Sequence, residues 1–211
     1  MPVTTLFLLR HGATAANLEQ PYRLQGRRLD NPLDPIGIHQ AEMTRDLLAS
    51  RHFSSIYSSP LKRALQTASI VASSHGQTVQ VIEALTECDV GRWEGLTKKS
   101  IRQQFPREYH LFSEDPGKHG YLGGENFSEV AARSTPVFNE LLARHAGETI
   151  LVVSHHVVNR VYLAGLLGLS PSEAKRVSLD NCGVSVVAQD GESKRLVTLN
   201  ATLHLANACA A

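Results

Sequence analysis

Three short apolar runs, each leading into basic or imidazole side chains, constrain this chain more than any other feature. Thr5–Leu9 stops at Arg10-His11-Gly12. Ser54–Tyr57 ends at Ser58-Ser59-Pro60, with Lys62 and Arg63 close behind. Thr149–Val153 (TILVV) is the strongest strand signal and ends at Ser154-His155-His156. Such brief continuous runs, cut off by turn and polar residues, read as strands buried on both faces. After Pro60, which suits a first helical turn, Leu61, Ala64, Leu65, Ala68 and Ala72 recur at helical spacing. Phe127, Val130, Ala131, Phe138, Leu141, Leu142 and His145 mark one face of a longer helix, with a kink expected at Pro136. Val157, Val161 and Ala164 suggest another helix. Val79–Ile82 reads as a strand, and Val184–Ala188 and Leu196–Leu199 form a closing hairpin around Asp190-Gly191. Strands alternating with helices predict an α/β fold: a three-layer sandwich with a mostly parallel central sheet and helices on both faces. The polar, Gly- and Pro-containing stretch 92–125 is expected to be a small helical insertion, a cap over the sheet.

A chain of 211 residues suits one domain, expected over 1–205, with a frayed, small-residue tail at 206–211. With 42% hydrophobic and 19% charged residues it has material for a real core and does not resemble a disordered chain. Lys and Arg number 21 against 20 acidic residues, so no global field exists to grip nucleic acid or an anionic membrane. Cys88, Cys182 and Cys209 are too few and too scattered for a disulfide framework or a metal knuckle, which favours a reducing compartment. The run Leu6–Leu9 lacks a preceding basic region and is too short for a signal segment, and no stretch approaches the length of a membrane span. The expectation is a soluble, cytoplasmic protein. Its oligomeric state is not legible.

Ligands of open α/β sheets bind beyond the carboxyl ends of the strands. If the three strands are neighbours, Arg10, Arg63, His11 and His155 converge there. So much buried positive charge is unfavourable without a compensating anion, and the guanidinium fork suits tetrahedral oxyanions. Taken singly, each feature is unremarkable. An Arg-His pair after a strand is usually surface, and a cation in a helix's first turn opposes the helix dipole. His155-His156 lacks the companion carboxylates a metal site needs. The joint placement is what points to phosphate.

Leu9-Arg10-His11-Gly12-Ala13-Thr14-Ala15-Ala16-Asn17 closely resembles the RHG-x-T-x-x-N signature of the histidine phosphatase superfamily, in its phosphoglycerate mutase-like branch. The resemblance continues through Gln25-Gly26, Asp30, Pro32-Leu33, Gly37 and Gln40-Ala41, and through Ser58-Ser59-Pro60-Leu61-Lys62-Arg63-Ala64-Leu65-Gln66-Thr67-Ala68. Leu85-Thr86-Glu87, Gly91-Arg92-Trp93-Glu94-Gly95, Gly123-Gly124-Glu125 and Val153-Ser154-His155 complete it.

The resemblance implies that the neutral imidazole of His11 attacks phosphorus to give a phosphohistidine that water hydrolyses. Arg10, Arg63 and His155 would hold the phosphoryl oxygens. Glu87 would act as general acid and then as base, a role that requires its carboxyl to carry the proton at the start. Asn17, Gln25 and Gly26 would contact the phosphate or the adjacent substrate edge, whereas Asp30, Trp93 and Glu94 would support the architecture. No metal and no cofactor are expected, and the partner is a small phosphorylated metabolite such as a sugar phosphate or phosphoglycerate. One departure is His156, which stands where the family usually has Gly and would narrow the pocket or add a third imidazole. Lys98 matches a mutase-like lysine, but Val90 replaces the mutases' tyrosine, no Arg pair follows, and Gln103–Tyr121 is short. Hydrolysis is therefore favoured over a phosphoglycerate mutase-type transfer, with a non-catalytic phosphate-binding module as a further alternative. Arg23, Arg27 and Arg28 suggest an additional acidic group on the substrate, against the reading that they form a solvated basic loop.

Overall fold

The computed structural model describes residues 2–206. Six strands, β1 (Thr4–Arg10), β2 (Ser55–Ser58), β3 (Val79–Val81), β4 (Thr149–Ser154), β5 (Val184–Asp190) and β6 (Ser193–Ala201), form one sheet in the order β3-β2-β4-β1-β5-β6. β1, β4, β2 and β3 run parallel, while β5 is antiparallel to β1 and pairs with β6 in the expected closing hairpin.

The three diagnostic strands are neighbours at the sheet centre. Register places Arg10 opposite Ser154 and Ser58 opposite Val153, so their carboxyl ends open side by side. β4 explains why this sheet is central. Ile150 and Val152 belong to the core on one face, Leu151 and Val153 to the core on the other, and all four are fully buried. Each such burial contributes roughly 1.5–3 kcal/mol.

The helices are α1 (Ala15–Leu18), α2 (Pro35–Leu48), α3 (Lys62–Ala72), α4 (Lys98–Gln104), α5 (Pro106–Glu114), α6 (Phe127–Arg144) and α7 (His156–Leu166). Leu48 of α2 and Ala64, Ala68 and Val71 of α3 pack with Leu9, Ile56, Leu151 and Val153. On the opposite face, Phe138, Leu141 and Leu142 of α6 and Val158, Val161 and Leu163 of α7 pack with Leu6, Leu8, Ile150 and Val152. The three-layer architecture is as expected.

Some local details differ from the sequence reading. α3 begins at Lys62 rather than Pro60, with Leu61 in the cap position. Asp30, from a distant loop, accepts the Lys62 N–H at 2.7 Å and supplies the cap oxygen that Leu61 lacks. α6 starts at an Asn126–Glu129 capping box and carries Pro136 inside it, as the sequence reading has it. His145 lies just past it, where its Nε2 is 2.8 Å from the Tyr57 hydroxyl and its Nδ1 is 2.6 Å from Glu148. α2 left little trace in the sequence because its buried positions are Gly37, Ala41, Thr44 and Leu48, while Ile36 and Ile38 are exposed. Gly37 is required there: a Cβ would lie 1.9 Å from the Ala13 carbonyl oxygen, so only glycine lets α2 abut the loop after β1.

The stretch 92–125 carries α4 and α5 over the carboxyl ends of the strands. Trp93 meets Phe112 and Tyr121 edge-on at 5.4 and 5.7 Å, and Phe112 meets Phe127 at 5.9 Å, tying this cover to α6. No helix among the described residues is long and apolar enough to cross a membrane. The tail expected to fray lies, beyond Ala206, outside the described residues.

Candidate active site

Strand pairing continues past β1, with the His11 N–H donating to the Ser154 carbonyl at 3.0 Å. This sets His11 against His155, their ring centroids 5.2 Å apart. His11 Nδ1 lies 2.7 Å from the Gly12 carbonyl oxygen. A carbonyl can only accept, so Nδ1 carries the hydrogen and Nε2 keeps a free lone pair. Burial, and then the guanidinium groups of Arg63 and Arg10, hold the His11 imidazole well below its ordinary pKa. The ring is held neutral at physiological pH.

Arg63 is fully buried; its Nη1 and Nη2 donate to the carbonyls of Leu29 and Gly26 at 3.0 and 2.9 Å. Arg10 Nη1 donates to the Leu179 carbonyl at 2.8 Å, and burial lowers its pKa to about 10. His155 Nε2 lies 2.7 Å from the Ser59 hydroxyl. Arg10 Nε, Arg63 Nε and His155 Nδ1 are buried without a hydrogen-bond partner among the described residues. A concentration of buried donors with unused hydrogens suits a multiply charged oxyanion.

Glu87 is buried beside this group. Its Oε1 accepts from the Cys88 N–H at 2.8 Å, and its Oε2 accepts from the His156 and Val157 N–H groups at 3.1 and 3.4 Å. The carboxylate thus sits on the first turn of α7, where the helix dipole favours an acid. Arg133 braces the segment from behind, donating to the carbonyls of Ala84 at 2.8 Å and Glu87 at 3.3 Å while paired with Glu125 at 2.7 Å.

A cavity of about 410 Å³ opens beside this group; Arg63 and His155 lie buried behind its wall and do not line it. Arg10, His11, Asn17, Gln25 and Glu87 line its floor, with Trp93, Phe112 and Tyr121 from the cover. The Asn17 Oδ1 is occupied by the Thr14 N–H at 3.1 Å and the Asn181 amide at 3.3 Å, leaving its own NH2 for a ligand. Gln25 Oε1 is 2.8 Å from the Thr14 hydroxyl, and its amide donates to the Leu29 carbonyl. Gly26 is placed differently: it is buried away from the cavity wall, its N–H directed to Glu94 at 2.5 Å and its carbonyl holding Arg63. A Cβ on Gly26 would come within 2.6 Å of the Cys88 carbonyl. Asp30 and Glu94 support the architecture, as expected.

Several residues of the site escaped the sequence reading. Asn181 donates to the His11 carbonyl at 2.9 Å, and the Cys182 N–H to the Arg10 carbonyl at 3.0 Å, so the loop before β5 clamps the His11 backbone. Nothing local in that loop signals this. Arg160 also lines the cavity, and its spacing four residues after His156 on one helix was a usable signal. His156 is accommodated as the first residue of α7, its imidazole Nε2 accepting from Arg160 Nη2 at 2.6 Å.

The buried imidazoles predict a pH dependence of stability. His11, His155 and His156 are all held well below the ordinary histidine pKa, by burial first and neighbouring arginines second. Below about pH 6.5 the unfolded chain therefore binds protons that the folded chain refuses, and stability falls with a limiting slope of about 1.4 kcal/mol per pH unit for each such group. The melting temperature should fall steadily from pH 7 to pH 5, and inorganic phosphate should raise it at each pH. A flat profile would mean that these rings are protonated in the folded state.

Fold and site together define an α/β protein that holds a buried, neutral imidazole beside two buried guanidinium groups at the carboxyl edge of its sheet. Comparison with known proteins gives the particular family: the chain belongs to the histidine phosphatase superfamily (branch 1), whose model matches residues 6–202. It is 32% identical over 200 residues to phosphoserine phosphatase 1 of Hydrogenobacter thermophilus, spanning 95% of this chain and 93% of that protein. The solved structure of Bacillus stearothermophilus YhfR is similar with a TM-score of 0.88 and 31% identity, over 96% of this chain and 99% of that one. The phosphoserine phosphatase of Entamoeba histolytica, solved with 3-phosphoglyceric acid, matches with a TM-score of 0.84 and 30% identity, over 96% of this chain and 99% of that one. The chain is a phosphoric monoester hydrolase.

Proposed function

We propose that this protein hydrolyses small phosphorylated metabolites through a phosphohistidine on His11, without a metal ion. The observation that carries this reading is the 2.7 Å contact from His11 Nδ1 to the Gly12 carbonyl, which leaves Nε2 as a lone-pair donor among Arg10, Arg63 and His155. In the first step a bond forms from Nε2 to phosphorus as the ester P–O bond breaks, and the Glu87 carboxyl delivers its proton to the departing oxygen. In the second step Glu87 takes a proton from water, whose oxygen attacks phosphorus and releases His11 and inorganic phosphate. Arg10, Arg63 and His155 meet the charge that shifts among the phosphoryl oxygens, the work that a divalent cation does in other phosphoryl-transfer sites.

Two further observations support this reading. Among the described residues, no three His, Cys, Asp or Glu side chains are grouped as a metal would require. Val90, on the cavity wall, offers no hydroxyl for holding a bisphosphate in place for transfer. We place the protein in the cytoplasm, since Cys88 and Cys182 are free, buried thiols, the latter with its pKa pushed up to about 12 by burial. The test is hydrolysis of p-nitrophenyl phosphate before and after exhaustive chelation. Undiminished turnover is expected, and loss of activity that a divalent cation restores would overturn the metal-free mechanism.

A further inference from the structure

Beyond the phosphate cradle, the cavity carries a second concentration of positive charge. Arg160, Lys98 and Lys175 line its outer part. Arg160 Nε donates to the Val177 carbonyl at 2.8 Å and one Nη2 hydrogen goes to His156, leaving both Nη1 hydrogens without a partner among the described residues. Lys175 Nζ donates to the carbonyls of Phe112 and Ser113 at 2.9 and 3.3 Å, leaving one of its three hydrogens. Lys98 Nζ stands 5.3 Å over the Tyr22 ring. Among the described residues none of the three forms an ion pair. The basic residues singled out in the sequence are otherwise engaged: Arg23 pairs with Glu19 at 2.7 Å and Arg28 with Asp89 at 3.0 Å, and neither Arg27 nor Arg28 lines the cavity.

These cations also act on one another. Burial first, then Arg160 and Lys98, lowers the Lys175 pKa, and burial first, then Arg10, Arg160 and Lys98, lowers that of His156. An anion between them relieves that repulsion. Among the described residues lining the cavity the single carboxylate is Glu87, which the cations Arg10, Arg160, Lys98 and Lys175 outnumber, so a substrate ammonium meets net repulsion there. His156 contributes geometry: by accepting from Nη2 it fixes the plane of the Arg160 guanidinium, a constraint that glycine at this position could not supply.

Resting on the hydrolase reading above, we infer that Arg160, Lys175 and Lys98 form a carboxylate subsite, and that the enzyme prefers phosphorylated hydroxy acids to phosphorylated amino acids. The test compares kcat/KM of the wild-type protein for 3-phosphoglycerate, glycerol 3-phosphate, phosphoserine and fructose 1,6-bisphosphate. Charge-assisted hydrogen bonds to one carboxylate predict a preference for 3-phosphoglycerate over glycerol 3-phosphate of about 10- to 100-fold, with phosphoserine below 3-phosphoglycerate. Arg160→Met should narrow the first ratio chiefly by raising the KM for 3-phosphoglycerate, and Lys98→Met, at an exposed position, should narrow it if Arg160→Met does not fold. Equal rates for 3-phosphoglycerate and glycerol 3-phosphate would overturn the subsite, and phosphoserine in first place would overturn the discrimination against an amine. The bisphosphate in first place would make the outer cations a second phosphate site instead. Should no monoester be hydrolysed, p-nitrophenyl phosphate included, the catalytic reading fails separately. Calorimetric affinities of His11→Ala protein for 3-phosphoglycerate, glycerol 3-phosphate and phosphoserine then decide the subsite by the same ranking.

Discussion

His11→Ala protein should fold, bind phosphate and lose kcat by roughly 10⁴- to 10⁶-fold, the range expected when a covalent nucleophile is removed. The size of the effect follows from what remains. Arg10, Arg63 and His155 can still hold the substrate, but no other lone pair in the cradle can replace Nε2. His155 has its Nε2 engaged with Ser59, and the His156 Nε2 is occupied by Arg160. Wild-type protein quenched during turnover of a labelled monoester should carry an acid-labile, alkali-stable phosphoryl group, and the variant should carry none. A variant rate within about a hundredfold of wild type would exclude His11 as nucleophile. The His11 ring contributes little besides its Nδ1 bond to Gly12, so melting should change far less than catalysis.

Glu87→Gln should slow hydrolysis of alkyl phosphates by about 10²- to 10⁴-fold, the usual contribution of a positioned general acid. The dependence on leaving group is the sharper readout. A nitrophenolate departs without a proton, so phosphorylation of His11 by p-nitrophenyl phosphate should be largely spared. Dephosphorylation still needs a base for water, so the variant should show a burst of nitrophenolate followed by slow turnover. A uniform loss for every ester, with no burst, would assign Glu87 to structure alone. Some structural loss is expected in any case: Glu87 accepts from Cys88 with one oxygen and from His156 and Val157 with the other, and an amide has a single acceptor. One buried N–H loses its partner, at roughly 1–3 kcal/mol of stability.

Much of this site could be read without coordinates, and for a physical reason. Arg10-His11, Arg63 and His155 each follow a strand whose apolar run is visible locally, and parallel α/β sheets gather such residues at one edge. α2 was hidden because small residues fill its buried face, so its packing rests on close backbone approach at Gly37 and Gly12 and leaves no apolar stripe. The outer cations were hidden for a different reason. Arg23, Arg27 and Arg28 are clustered in sequence, but of these only Arg23 lines the cavity and it is paired with Glu19, whereas the unpaired cations Lys98, Arg160 and Lys175 come from distant segments brought together by the cover and α7. The motif places Gly26 against the substrate, yet both of its backbone polar groups are used in holding Glu94 and Arg63.

The sequence by itself determined the α/β class, the central strands and which polar side chains gather at their carboxyl ends, because hydrophobic period and strand-end chemistry are short-range properties of a chain. Only the tertiary structure decided which atoms of those groups are free to react. The Gly12 carbonyl selects the His11 tautomer, α7 receives a carboxylate from 69 residues upstream, and Arg160 turns its unused hydrogens into the cavity only because His156 and Val177 take the others. Those choices depend on register and on contacts between distant segments, which no local pattern encodes.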